Sequence, residues 1–156
     1  MQNNEFKIAV FPGSFDPFTK GHYEIVERAC SLFDKIIVAI GTNSTKQYLF
    51  PIEKRIEMIE QAFKQNAKVE VVSYSGLTVD FCKQQKAKTI VRGLRNASDF
   101  EYEQPIAQMN KTLDESIETI FISCSPQLSH ISSTIIREIY KNKGNILPYL
   151  PAGVSL

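Results

Sequence analysis

The side chains in this sequence best suited to chemistry are hydroxyl, imidazole and cationic groups set just beyond short apolar runs. Pro12-Gly13-Ser14-Phe15-Asp16-Pro17-Phe18-Thr19-Lys20-Gly21-His22 follows the first run. Gly13 lets backbone approach a ligand closely because it carries no Cβ. Ser14 offers a hydroxyl there, and Pro17 stiffens the loop. A helical pattern begins near Gly21 and His22, which places His22 in a first helical turn, where N–H groups and the dipole favour an anion. That positive end pushes the imidazole toward neutral and a bound phosphate pushes it back, a balance the residues alone leave open. Gly41-Thr42-Asn43-Ser44-Thr45-Lys46 follows the second run, and Lys46 reads either as a solvated cation or as a phosphate ligand. Tyr74-Ser75-Gly76-Leu77-Thr78 follows the third run and Arg92-Gly93-Leu94-Arg95 the fourth. Guanidinium forks match phosphate oxygens; the plainer role is a surface ion pair with Asp99 or Glu101. After the fifth run, Ser132, Ser133 and Thr134 open a helix with Arg137 one turn on. A single hydroxyl suffices as an N-cap, so three with a cation exceed capping. Taken together, these groups imply a site for more than one phosphate.

Other chemistries are excluded by what the pattern lacks. There is no G-x-G-x-x-G and no G-x-x-x-x-G-K-[ST], and with 7 glycines the first loop is not a P-loop. Cys30, Cys82 and Cys124 are widely separated, and with only His22 and His130 besides they make no zinc spacing. Three scattered thiols read as small core hydrophobes in a reducing cytoplasm. No Ser-His-Asp set or base–nucleophile pair stands out. The 18 Lys and Arg against 17 Asp and Glu leave a formal charge of +1, so no broad field draws a nucleic acid. No apolar run approaches the ~20 residues of a membrane span, and the polar start, Met1 to Lys7, lacks the apolar stretch of a leader.

These groups need a scaffold to bring them together. The 156 residues, 43% hydrophobic and 22% charged, suit one domain, 1–156, with a real core. Lys7–Phe11, Ile36–Ile40, Val69–Val72, Thr89–Val91 and Thr119–Ile122 read as strands buried on both faces. Between and after them the period turns helical. Ile25, Val26, Ala29, Leu32 and Phe33 share one face; Ile52, Ile56, Ile59 and Phe63 share another. Leu77 and Phe81 begin a shorter helix. Tyr102, Ile106, Met109 and Leu113 trace a stripe, as do Ile131, Ile135, Ile136 and Ile139. All of these are expected in the core. Alternation of this kind predicts an α/β fold with a doubly wound five-stranded parallel sheet and right-handed crossovers. Ligands then sit beyond the carboxyl ends of the strands, where the polar groups fall.

The same residues carry a family resemblance. Gly13–His22 resembles the [TH]-x-G-H signature of the nucleotidyltransferase superfamily, with Thr19 in its first place, and Ile131–Arg137 resembles its I-S-S-T-x-x-R signature. Ile90–Arg95, Asp99–Glu103 and Met109-Asn110 narrow the resemblance to bacterial phosphopantetheine adenylyltransferases, over nearly the whole chain. The resemblance implies a Rossmann-like nucleotidyltransferase fold and the transfer of an adenylyl group from ATP to 4′-phosphopantetheine, giving dephospho-coenzyme A and pyrophosphate. It also implies Mg²⁺, a homohexamer built as a dimer of trimers, and coenzyme A as a feedback inhibitor. By residue, it puts Ser14 and Phe15 against ATP, with Ser14 also touching the acceptor, and His22 on the α-phosphate as transition-state stabiliser. Lys46 and Arg92 hold the acceptor's phosphate and join Ser14 and His22 in the catalytic set. Gly93, Leu94, Arg95 and Glu103 contact ATP, over which Leu128, Ser129, His130, Ile131, Ser132, Ser133 and Thr134 close. Thr78, Ile106, Met109 and Asn110 line the pantetheine arm. Ser14 stands where Thr is usual, Gly76 where an acidic residue is frequent, and Leu128 where an aromatic is common.

Two other functions stay open on the residues. One is a sister transferase, such as a glycerol-phosphate cytidylyltransferase or nicotinamide mononucleotide adenylyltransferase, differing only in the acceptor pocket. The other is a non-catalytic nucleotide-binding regulator. The C-terminal stretch, Gly144 to Leu156, is expected on the surface or against a neighbouring subunit.

Overall fold

A computed structural model describes residues 6–43 and 45–156. The polar stretch 1–5 and Ser44 lie outside them. Five strands, β1 (Ile8–Gly13), β2 (Lys35–Gly41), β3 (Val69–Tyr74), β4 (Thr89–Leu94) and β5 (Glu118–Ser123), alternate with five helices. The helices are α1 (Lys20–Ala29), α2 (Ile52–Ala62), α3 (Thr78–Gln84), α4 (Ala97–Leu113) and α5 (Ser133–Lys141). The strands form one parallel sheet in the order β3-β2-β1-β4-β5. The doubly wound α/β expectation therefore holds.

The order of the strands makes the site. Successive strands are added outward on one side from β1 to β3 and on the other from β4 to β5, so the strand order reverses between β1 and β4, the switch point at which such sheets bind ligands. β1 pairs with β2 from Ile8 to Gly13 but with β4 only at Ala9↔Thr89 and Val10↔Ile90. The carboxyl ends of β1 and β4 thus part. β4 runs on through Arg92, Gly93 and Leu94, so Arg92 sits on the strand itself rather than in the loop after it. Gly93 is required for packing: a Cβ there would lie 2.9 Å from Ile25 Cγ1 on α1. Its absence lets α1, with His22, settle against β4.

Alternate residues of each strand feed two cores. Ala9, Phe11, Ile36, Val38, Ile40, Val91 and Ile122 face Ile25, Val26, Ala29, Ile59 and Phe63 of α1, α2 and the turn after α2. Val10, Ile37, Ala39 and Ile90 face Val79, Phe81 and Cys82 of α3. A third cluster joins Ile146 and Leu150 to Phe50, Met58, Ile131 and Ile136. The C-terminal segment is thereby stapled onto its own chain.

Several stripe residues are not core. Leu32 lies beyond the end of α1 and is 56% exposed, and Leu77, the N-cap residue of α3, is 55% exposed. Ile135 faces solvent while Ile136 is buried. The largest departure is α4, where Tyr102, Ile106, Met109 and Leu113 are all exposed and Glu103 is the buried residue. A helical period reports that a face is apolar, not what covers it. Of the cysteines only Cys82 is buried; Cys30 and Cys124 are half-buried, and all three are free.

Candidate active site

The first loop and the start of α1 form a unit encoded in contiguous residues. Thr19 caps α1, and its side chain accepts from the His22 N–H. In return the Thr19 backbone N–H donates to His22 Nδ1 at 3.0 Å. A backbone N–H can only donate, so Nδ1 is the acceptor and the imidazole proton rests on Nε2. Phe15 and Phe18 pack on the ring with centroids 5.1 and 5.4 Å away, and Phe11 lies at 6.3 Å. Burial, then the charges of Arg92 and Arg95, lowers the His22 pKa to about 3. The protein's own surroundings thus hold the imidazole in the neutral form, a hydrogen-bond donor through Nε2.

Phe15 has φ 48°, a left-handed conformation unusual for a bulky residue. Its ring fills the space beside Gly13, where a Cβ would meet it at 2.8 Å. The freedom expected of Gly13 toward a ligand is used instead by Phe15, which supports the His22 ring.

Four further bonds hold this loop. Ser133 Oγ donates to the Pro17 carbonyl at 2.9 Å, and Arg137 Nη1 to the Asp16 carbonyl at 2.8 Å. Asp16 turns its carboxylate to the Leu49 and Phe50 N–H groups at 2.8 and 2.9 Å. The three hydroxyls that open α5 therefore divide their work. Ser132 is the N-cap, accepting from Ile135 N–H; Ser133 anchors the loop; Thr134 accepts from Arg137.

Arg92 and Arg95 are ion-paired, but not as the surface reading expects for both. Arg95 forks onto Asp99 at 2.9 and 3.0 Å, which raises the Arg95 pKa and lowers that of Asp99. Arg92 forks onto Glu103 at 2.5 and 2.8 Å, and its Nη1 reaches the Pro12 carbonyl across the gap between β4 and β1. The helix α4 thus delivers one carboxylate to each arginine.

Two cavities flank this crossing. The smaller, about 310 Å³, is lined by Ser14, Phe15, His22, Gly93, Leu94, Arg95, Glu103, Ile131, Ser132, Ser133 and Thr134. The larger, about 590 Å³, is lined by Ser14, Lys46, Thr78, Arg92, Ile106 and Asn110. Pro12, Gly13, Ser14, Arg92 and Glu103 belong to both walls. His22, Arg92 and Ser133 share the smaller one, so the strand-end groups converge. Met109 and the run Leu128, Ser129 and His130 line neither. His130 is exposed, and Leu128 packs toward the C-terminal cluster.

Residues missed from the sequence complete the walls. Tyr74 hydrogen-bonds Thr78 at 2.8 Å inside the larger cavity, and Tyr48 lines it too. Arg137 and Thr19, both singled out in the sequence, line the smaller. One signal was available for Arg55, which lies three residues from Ile52 and four from Ile59 on an inward face.

A switch-point cleft with two cavities meeting at a cationic wall is the arrangement of a nucleotidyltransferase, which must hold two anionic reactants side by side. The sequence profile of the cytidylyltransferase-like family matches residues 10–139. The phosphopantetheine adenylyltransferase of Cytophaga hutchinsonii is 51% identical over 145 residues, covering 93% of this chain and 97% of that protein. The enzyme of that name from Bacteroides thetaiotaomicron is 49% identical over 148 residues, covering 95% and 97%. A crystal structure of a bifunctional NMN adenylyltransferase/ADP ribose pyrophosphatase from Francisella tularensis superposes with a TM-score of 0.68 at 20% identity. It matches 93% of this chain but 45% of its own length, and shows the shared fold. The chain belongs to the cytidylyltransferase-like family and, within it, to the phosphopantetheine adenylyltransferases.

Proposed function

We propose that this protein transfers the adenylyl group of ATP to 4′-phosphopantetheine, releasing pyrophosphate, in one in-line step within a single 1–156 domain. The observation that carries this reading is the pair of cavities sharing Ser14 and Arg92. ATP occupies the smaller cavity and the acceptor the larger, so their phosphates meet at the common wall. An acceptor phosphate oxygen attacks the α-phosphorus, a P–O bond to it forms, and the bond to the leaving pyrophosphate breaks. The nucleophile is already anionic, so no base is required. Catalysis rests on positioning and charge stabilisation.

His22 donates its Nε2 proton as a hydrogen bond to the α-phosphate. Lys46 and Arg92 screen the incoming phosphate. Gly93, Leu94, Arg95, Glu103 and the start of α5 hold the nucleotide; Leu128, Ser129 and His130 would have to move to join them. Thr78, Ile106 and Asn110 line the pantetheine arm, which Met109, outside both cavities, would have to turn inward to reach. We propose Mg²⁺ as the cation that would neutralise charge on the phosphates of bound ATP; among the described residues no group of three His, Cys, Asp or Glu forms a metal site. Coenzyme A, which carries the same arm as the acceptor, is the proposed feedback ligand of the larger cavity.

For the proposed homohexamer, Met109 and Leu113 of α4 are exposed apolar residues outside both cavities, whereas Tyr102 and Ile106 of the same stripe line the larger one. A cytoplasmic setting agrees with three free thiols, and no helix among the described residues is long and apolar enough to cross a membrane. The test is to incubate the protein with ATP, Mg²⁺ and phosphopantetheine and assay dephospho-coenzyme A by mass with pyrophosphate release. Binding of ATP without turnover across a panel of phosphorylated acceptors overturns the reading.

A further inference from the structure

Among the described residues four polar or charged ones are buried: Asp16, Thr19, Arg55 and Glu103. Thr19 caps α1, Glu103 pairs with Arg92, and Asp16 receives two amides. Arg55, 2% exposed, has no part in the reaction as described above and lines neither cavity. It forms no ion pair within 4 Å among the described residues, yet its position is closely defined. Nη1 donates to the Ser14 carbonyl at 2.7 Å and Nε to the Phe50 carbonyl at 3.1 Å. Its guanidinium carbon lies 4.0 Å over the Tyr48 ring. Burial lowers its pKa, opposed mainly by the charge of Asp16.

These contacts join two segments. From α2, Arg55 reaches Ser14 in the first loop; from that loop, Asp16 reaches Leu49 and Phe50 just before α2. The two buried charges cross in opposite directions. Both segments they tie line the larger cavity, Ser14 from one and Lys46 and Tyr48 from the other. A buried guanidinium costs desolvation that an apolar residue of similar size would not. Its planar fork supplies what such a residue cannot, a fixed direction to two carbonyls and a ring.

We infer that Arg55 is a positioning residue that sets the separation of Ser14 from the Lys46–Tyr48 segment, and so shapes the acceptor-phosphate end of the larger cavity. This rests on the proposed reading of that cavity. It acts through Ser14 and Tyr48 and touches neither substrate.

The test compares wild type, Arg55→Lys and Tyr48→Leu. Phosphopantetheine and ATP are titrated separately at equilibrium, and kcat is measured with both KM values. Lysine keeps the charge and the stem but loses the fork. Arg55→Lys is expected to weaken phosphopantetheine at least about tenfold, the scale of one charge-assisted hydrogen bond. It is expected to lower kcat by ~10²-fold, the cost of a displacement near 1 Å at a reacting centre. ATP affinity should change less than about twofold, within the same scale. Tyr48→Leu, which leaves both carbonyl bonds possible, should show the same split, weaker. Equal loss for both ligands overturns the inference, as does a smaller folded fraction with unchanged constants per folded molecule. Wild type that fails to bind phosphopantetheine sinks the reading of the cavity and this inference with it, whereas a competent wild type with variants lacking the split sinks this inference alone.

Discussion

The two cavities are built by opposite strategies. Around the smaller, nearly every polar group already has a protein partner: His22 with Thr19, Ser133 with Pro17, Arg137 with Asp16, Arg95 with Asp99. Its key imidazole is framed by three phenylalanines that lie within eleven residues of it in the chain. Around the larger, the walls come from the ends of β1, β2 and β3, the start of α3 and the inner side of α4, and Lys46 is exposed. One region is preorganised to stabilise charge at a fixed point. The other is an open trough whose shape depends on distant elements keeping their spacing. The difference teaches that substitutions near His22 should act on turnover, while those around the trough should act on acceptor affinity.

The sharpest way to break this contrast is His22→Ala. Loss of one preorganised donor typically costs ~10²–10³ in turnover, so kcat should fall by at least that much while circular dichroism and Tm show an intact fold. A variant with near-normal kcat removes His22 from the mechanism.

Arg92→Ala comes next, because Arg92 belongs to both walls. Phosphopantetheine should weaken at least about tenfold and ATP by far less, on the scale of a lost charge-assisted bond. The same change strands Glu103, 8% exposed, without its cation. Tm should therefore drop, and adding Glu103→Gln should restore Tm without restoring acceptor affinity. Restoration of both by the double variant would show that Arg92 serves the fold rather than the ligand.

A smaller effect lies in pH. The folded His22 pKa is lowered to about 3 from an ordinary 6.5. The unfolded chain takes up that proton as pH falls through 6.5, while the folded chain resists until near 3. His22 therefore makes folding less favourable as pH falls across that window, and its contribution is level below it. His22→Gln should remove this loss, so the variant's stability relative to wild type rises between pH 7 and 4 in denaturant titrations. A constant difference across that range would mean that the imidazole ionises normally.

The smallest expected effect on a single chain is Leu113→Glu, on the exposed stripe of α4 and outside both cavities. Monomer stability should change by under about 0.5 kcal/mol. Light scattering should nonetheless show a smaller assembly, and an unchanged mass would free the stripe from the proposed hexamer.

The legibility of the molecule follows from how far apart its cooperating residues lie. The strands were readable because a sheet covered on both faces leaves continuous apolar runs such as Ile36–Ile40. His22 in a first turn was readable because Thr19 and His22 are three residues apart on one cap. The stripe on α4 reads as core but is exposed, since apolar period alone does not say whether a helix packs inward, and here Glu103 turns in to meet Arg92. The three hydroxyls of α5 read as a ligand surplus because the acceptor of Ser133, the Pro17 carbonyl, lies 116 residues away, beyond the reach of local spacing. Arg55 interrupts an inward-facing stripe, the pattern of a buried charge, but that spacing does not show its partner at Ser14, 41 residues away.

Element types, their alternation, the polar character of each strand end and the local cap at His22 were legible in the amino-acid order, because each depends on neighbours within a turn or a strand. Strand order, the parting of β1 from β4, the Arg92–Glu103 and Arg55–Ser14 contacts and the splitting of the cleft into two cavities arose only on folding. They join groups from 11 to 80 residues apart, and such pairings are chosen by the packing of whole layers rather than by any local preference.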